Sequence, residues 1–199
     1  PEIKEVMDLC LSCKACKSEC PSSVAVAKMK AEFLQHYYDA NGIPFRTRVI
    51  ANFTKSQQLG ILFPAIYNAV VKNNFTSDIV KNIIGFASKR SLPTVGNTTL
   101  NSWYQKRINK KENYTGDKKV HLFCDEFTNY NDVEIGKKAI LLLEALGYEV
   151  IIPQHGESGR TYLSKGVVRK AQKILMKNVE ALSKFVSNDM PLVGIEPSA

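Results

Sequence analysis

Four of the five cysteines, Cys10, Cys13, Cys16 and Cys20, fall within eleven residues and are followed by Pro21, giving the run C-x2-C-x2-C-x3-C-P. On a tight loop this spacing aims three thiolates at three irons of one cubane and leaves the fourth, at a helix start, pointing elsewhere; it is the spacing of bacterial 4Fe–4S ferredoxins. Structural zinc and unliganded core thiols are the competing readings. Zinc sites usually separate two ligand pairs by a longer loop, and no histidine falls among these cysteines, the three being at 36, 121 and 155. In two-cluster ferredoxins the fourth cysteine of such a run serves the other cluster. Cys10, Cys13 and Cys16 are therefore expected to serve one 4Fe–4S cluster and Cys20 a second, completed by a motif upstream. Lys14 and Lys17 would offset cluster charge, or else be plain loop lysines.

The rest of the composition narrows the setting. With 44% apolar and 23% charged side chains in 199 residues, the chain can build one or two small cores. Its longest apolar stretch, Ile61 to Val71, is broken by Pro64 and Asn68 and is far shorter than the roughly 18 residues a membrane span needs. No signal peptide is read at the start. Clustered thiols indicate a reducing compartment, so the expected location is the cytoplasm, free or at the inner face of the membrane. The four Asn-x-Ser/Thr matches, beginning at Asn52, Asn74, Asn97 and Asn113, are then chance. Residues 1–119 hold 18 Lys/Arg against 9 Asp/Glu, and residues 120–199 hold 9 against 10. A basic half of this kind suits an acidic protein, nucleic acid or an anionic membrane surface without singling one out.

Periodicity then supplies the elements that must position these groups. Pro21-Ser22-Ser23 reads as a helix start, with Val26, Met29, Phe33 and Tyr37 recurring until Asn41-Gly42. Residues 43–111 read as several helices broken near Asn73-Asn74 and Leu92-Pro93, and Lys106 to Lys119 as a solvated boundary linker. Beyond it come strand, helix, strand, helix, strand. The strands are Val120 to Cys124, Tyr148 to Ile152 and Pro191 to Ile195. One helix faces inward with Ile135, Ala139, Leu142, Leu143 and Leu146, the other with Val168, Ala171, Leu175, Val179, Leu182 and Val186. Such alternation in 80 residues calls for a three-stranded parallel sheet. The expected fold class is α+β overall: a ferredoxin-type cluster loop and helical region, followed by a small α/β half-domain.

In an open parallel sheet, groups beyond the carboxyl ends of the strands converge on one edge, where ligands bind. Asp125 and Glu126 follow the first strand, His155, Glu157, Ser158, Gly159 and Arg160 the second, and Glu196 and Ser198 the third. Asp125, Arg160 and Glu196 are expected either to form an ion-pair network that fixes the loops or to line a docking edge. Cys124, alone in an apolar strand, reads as a small core residue. No catalytic residue is assigned.

Several segments together carry a family resemblance. They are the cysteine run, Ser91-Leu92-Pro93, Trp103, Phe123-Cys124-Asp125-Glu126-Phe127-Thr128, Ser158-Gly159-Arg160 with Leu163-Ser164-Lys165-Gly166, and Gly194-Ile195-Glu196-Pro197-Ser198. In these the chain resembles the iron–sulfur portion of FAD-linked glycolate oxidases and D-lactate dehydrogenases. In that family an amino-terminal FAD domain oxidises a 2-hydroxyacid, electrons leave through ferredoxin-type clusters, and a cysteine-rich domain with Cys-Cys-Gly signatures follows. The resemblance implies the divisions 1–41 (4Fe–4S motif and helix), 42–119 (helical connector and linker) and 120–199 (first half of the cysteine-rich domain). The start at Pro1 and the end at Ala199, where another helix is due, read as a piece of a longer protein. Implied partners are the upstream FAD domain, a second ferredoxin motif and an electron acceptor, quinone or protein; nucleic acid is not expected. The chain departs from the family where Glu157-Ser158-Gly159-Arg160 replaces Cys-Cys-Gly-Arg and Glu196-Pro197-Ser198-Ala199 replaces Glu-Pro-Ser-Cys. Alternatives are an iron–sulfur component of the glycerol-3-phosphate dehydrogenase or heterodisulfide reductase type, or a zinc-binding interaction module.

Overall fold

The computed structural model describes residues 2–196. Short helices α1 (Glu2–Asp8) and α2 (Ala15–Glu19) flank the first cysteines and lead into the long α3 (Val26–Asn41). Five further helices follow: α4 (Phe45–Ala51), α5 (Phe53–Gly60), α6 (Pro64–Lys72), α7 (Asn74–Ile84) and α8 (Leu100–Asn109). The remainder alternates as β1 (Lys118–Phe123), α9 (Glu126–Tyr130), α10 (Val133–Ala145), β2 (Tyr148–Ile151), α11 (Arg160–Ser164), α12 (Val168–Leu182) and β3 (Leu192–Gly194). This is the α+β class expected. The residues fall into two compact units, one of residues 1–53 with 159–175 and one of residues 54–158 with 176–199.

In the first unit, Tyr162 and Ala171 pack with Ala51 into a small core that Val167 and Ile174 cover. Thr161 Oγ1 donates to the Ala51 carbonyl at 3.0 Å and Tyr162 Oη meets Asn52 Oδ1 at 3.1 Å, so the buried hydroxyls are satisfied. Arg169 grips Asp39 with both guanidinium nitrogens, at 2.8 and 2.7 Å. Helix α3 begins at Val26, four residues later than the sequence predicts, because the chain first makes a turn: Ser23 N–H bonds the Cys20 carbonyl at 2.8 Å and Ser23 sits at φ 53°. The buried stripe also differs from expectation. Lys30, Ala31, Leu34 and Tyr38 face inward, while Met29 is half exposed. The two stripes lie one residue, about 100°, apart. Contact with the α11 segment selects the one bearing Leu34, against which Gly166 rests.

In the second unit β1 is the middle strand of the order β2-β1-β3, parallel to both neighbours, with Val120 opposite Val150 and Leu122 opposite Val193. Val120, Leu122 and Val150 are buried with Leu100, Tyr104, Val133 and Ile140 around them. Tyr104 Oη donates to the Val150 carbonyl at 2.8 Å, tying α8 to the sheet. Helix α10 is rotated from its predicted orientation. It buries Val133, Gly136, Ile140 and Glu144, while Ile135, Leu142 and Leu146 are more than half exposed. Glu144 accounts for this: its carboxylate is held by Arg107 at 3.0 and 2.8 Å, a bidentate, largely buried pair that turns its face inward. On α12, Ala171 and Leu182 are buried as expected, but Leu175 and Val179 are exposed, as is Val186 beyond the helix end.

The segment Lys106 to Lys119 is not an extended connector. It begins as the end of α8, Arg107 binds the Glu112 carbonyl at 2.9 Å, and Tyr114 N–H reaches Glu144 Oε1 at 3.4 Å. β1 then starts at Lys118.

Gly166 has φ 72°, and a Cβ there would stand 2.2 Å from the Leu34 Cβ. Gly166→Ala should therefore destabilise the chain by about 2 kcal/mol or more, through both the left-handed backbone and the overlap. Urea denaturation checks this; an unchanged midpoint would contradict the contact.

Candidate functional site

The cysteine loop is built from left-handed turns. Ser12, Lys14 and Ser23 sit at φ 58°, 66° and 53°, so the chain reverses repeatedly while α1 and α2 stay short. Lys30, only 7% exposed on α3, points its ammonium at the Cys10 carbonyl and fastens the loop to the helix. A buried lysine needs such an acceptor, since an unpaired ammonium in the interior costs several kcal/mol. Half-buried Lys165 has its pKa lowered by burial first and by the charges of Lys30 and Arg46 second, so cationic groups gather on this unit. Cys20 has its thiol pKa lowered by the backbone N–H of Val24, then that of Ser22. Hydrogen bonds of this kind stabilise thiolate over thiol.

The donor set thus suits a thiolate-ligated group: four cysteines on one loop, the Cys20 thiol pKa lowered, and Lys30 tied to the Cys10 carbonyl. Among the described residues, however, no three His, Cys, Asp or Glu side chains are gathered into a metal-binding group. Lys14 and Lys17 are exposed, and so is His36.

The second predicted site lies at the carboxyl ends of β1 and β2. Asp125 caps α9, accepting from the N–H groups of Phe127 at 2.8 Å and Thr128 at 3.1 Å and from the Thr128 hydroxyl. Glu126, buried, accepts from Ser158 twice, from its N–H and its hydroxyl, both at 2.8 Å. Cys124 N–H donates to His155 Nε2 at 3.1 Å, which puts the imidazole proton on Nδ1, facing the Gly156 carbonyl at 2.6 Å. The ring also stacks on Phe123, with centroids 4.1 Å apart. Asn178 completes the clamp, accepting from Gly156 N–H and donating to the Glu157 carbonyl, each at 2.8 Å.

The two strand ends therefore meet, as the topology implied, around a cleft of about 470 Å³. Cys124, Glu126, His155 and Glu157 line it with Thr54, Gln58 and other amides; among the described residues no Lys or Arg does. Gly159, at φ 78°, and Arg160 open α11 in the other unit, and the Asp125 carboxylate is occupied within its own helix. Glu196 follows β3 and does not line the cleft, and Ser198 lies outside the described residues. Burial pushes the Cys124 thiol up to about 12, with the Asp125 charge adding to it. Cys124 is therefore a thiol at neutral pH, and the cleft is one of carboxylates, amides and a neutral imidazole.

Comparison with known proteins bears on both sites. The chain is 25% identical over 203 residues to the D-2-hydroxyglutarate dehydrogenase of Haemophilus influenzae, covering 99% of this chain and 20% of the relative. It is 26% identical over 207 residues to the enzyme of the same name from Escherichia coli, with the same coverage. To one of the subunits of the anaerobic glycerol-3-phosphate dehydrogenase of Escherichia coli it is 25% identical over 150 residues, 75% of this chain and 37% of that protein. The chain thus spans about one fifth of the dehydrogenases it matches most fully, and it is similar to portions of oxidoreductases. No protein-family model matches it, and no solved structure does. Among the described residues no helix is long and apolar enough to cross a membrane.

Sequence reasoning did not find Lys30, because a lysine in an otherwise apolar stripe reads as solvent-facing. Nor did it find α9, whose only signal is the capping pattern of Asp125 with Thr128 three residues on.

Two measurements check the strand-end geometry. Native alkylation of the cluster-free chain with iodoacetamide at pH 8 should modify the four loop cysteines and spare Cys124 until denaturant is added; early modification of Cys124 would contradict its burial. The pKa of His155 is lowered, chiefly by burial, so its neutral form supports folding above its unfolded value of about 6.5. That contribution is lost as pH falls through the lower folded value. The melting temperature should therefore drop between pH 7 and 5, and His155→Gln should lessen the dependence. An identical pH profile in the variant would refute the role.

Proposed function

We propose that this chain is the electron-transfer portion of an FAD-linked dehydrogenase acting on a 2-hydroxyacid of the D-2-hydroxyglutarate kind. The observation that carries the reading is the ferredoxin-type run Cys10, Cys13, Cys16 and Cys20, with the Cys20 thiol pKa lowered by neighbouring backbone N–H groups. Support comes from similarity over 99% of the chain to dehydrogenases of that name. A bound 4Fe–4S cluster supplies a one-electron relay between the flavin, carried elsewhere in the protein, and an acceptor.

In this reading Cys10, Cys13 and Cys16 hold one cluster and Cys20 contributes to a second. Lys30 fixes the backbone at Cys10 so that the first thiolate is presented from a defined position. The ammonium groups of Lys30 and Lys165 and the guanidinium of Arg46 favour the anionic ligand set, and N–H groups directed at sulfur raise the reduction potential. In this reading the strand-end cleft, with its single buried thiol Cys124, is separate from the ligand loop. The similarity to part of a glycerol-3-phosphate dehydrogenase favours a second reading, the same relay serving a different flavin partner.

The test uses the polypeptide that also carries the flavin domain. Cys13→Ser should leave flavin reduction by substrate intact, remove the EPR signal of one reduced cluster, and cut acceptor reduction at least about a hundredfold. Full acceptor turnover, or zinc in place of iron on metal analysis, would overturn the relay. Reduction by glycerol 3-phosphate instead of a 2-hydroxyacid would select the second reading.

A further inference from the structure

The second unit contains another cleft, of about 690 Å³, between the end of α6, the start of α7 and the loop that follows α7. Its chemistry is opposite to that of the strand-end cleft. Lys72, Lys89 and Arg90 line it with a single carboxylate, Asp132, while lining Lys81 is already paired with Asp78 at 2.9 Å. Among the described residues Lys72, Lys89 and Arg90 have no carboxylate partner. Like charges brought together without compensation repel, so their clustering in a concavity calls for an anion.

The cleft is also built. Lys81, buried, sends its ammonium to the Ser88 carbonyl at 2.7 Å and thereby holds the loop that displays Lys89 and Arg90. Asn68 clamps Val95 through both its N–H and its carbonyl, each at 2.9 Å, and Asn131 donates to the Thr94 carbonyl at 2.6 Å. Ser77 lines the cleft with little of its surface exposed, so its hydroxyl is placed to donate to an oxyanion held there. The volume suits a small molecule and not the flat face of a protein.

We infer that this cleft binds a small polyanion, a phosphoryl or dicarboxylate compound, at a site separate from the cysteine loop. Lys72 and Lys89 supply point charges, Arg90 a planar fork matched to two oxygens of one group, and Ser77 a short neutral donor at the cleft wall. The inference does not depend on the relay reading, since none of these residues lies in the cysteine unit.

The experiment is calorimetric titration of the chain with inorganic pyrophosphate and, in a parallel arm, with succinate, at fixed ionic strength. Saturable one-site binding of either probe is expected; tighter pyrophosphate identifies a phosphoryl ligand, tighter succinate a dicarboxylate. Lys89→Gln with Arg90→Gln should weaken binding at least about tenfold, the loss of two charge-assisted contacts. Ser77→Ala should weaken it about threefold or more. Lys177→Gln, an exposed lysine away from the cleft, should leave it within about twofold. Absence of binding by both probes, or equal losses in all the variants, would overturn the inference.

Discussion

Pairing of β1 with a parallel neighbour on each side is the constraint from which the second unit follows. Parallel strands cannot be joined by a tight turn, so the chain must leave the sheet, cross over through a helix and return. That requirement accounts for α10 between β1 and β2 and for the helical return before β3. It also fixes where polar chemistry collects. All three strands end at the same edge, so the residues immediately after β1 and those in the loop after β2 become neighbours although some thirty positions separate them. Asp125 and Glu126 then take different roles from adjacent positions. One terminates the strand and starts a helix, and the other receives the Ser158 loop.

Charge is organised by the same economy of burial. The chain carries 27 basic against 19 acidic side chains, and several of the basic ones are drawn inward to act on backbone. Lys30 and Lys81 are both buried, and each closes a loop by donating to a distant carbonyl. Lys30 thereby fastens the cysteine loop to α3, and Lys81 holds the loop that displays Lys89 and Arg90 at the α7 cleft. The strand-end cleft, lined by carboxylates and amides, is left to ligands of different character. Within one unit, two concavities of opposite electrostatic sense argue against a single function for the whole surface.

The similarity to portions of dehydrogenases spans both the cysteine half and the α/β half of this sequence. In the α/β half, the loop after β2 carries Glu157-Ser158-Gly159-Arg160. Ser158 on Glu126 and Asn178 on Gly156 and Glu157 supply by hydrogen bonding the anchorage the segment needs.

The three strands were legible in the sequence to within a few residues because short apolar runs bounded by Gly, Pro and Asn admit few other conformations. The parallel order followed from the intervening helices, and the meeting of His155 and Ser158 with the residues after β1 followed from that order. The cysteine spacing, a purely local property, was legible for the same reason. The buried face of α3 and of α10 was not. Each helix carries apolar residues on two adjacent stripes, and only contact with Gly166 in one case and the Arg107 pair with Glu144 in the other selects between them. Lys30 and Lys81 were equally hidden. Their significance lies in the backbone carbonyls they reach, and periodicity carries no information about those; burial that turns a polar side chain inward is decided only when the elements pack.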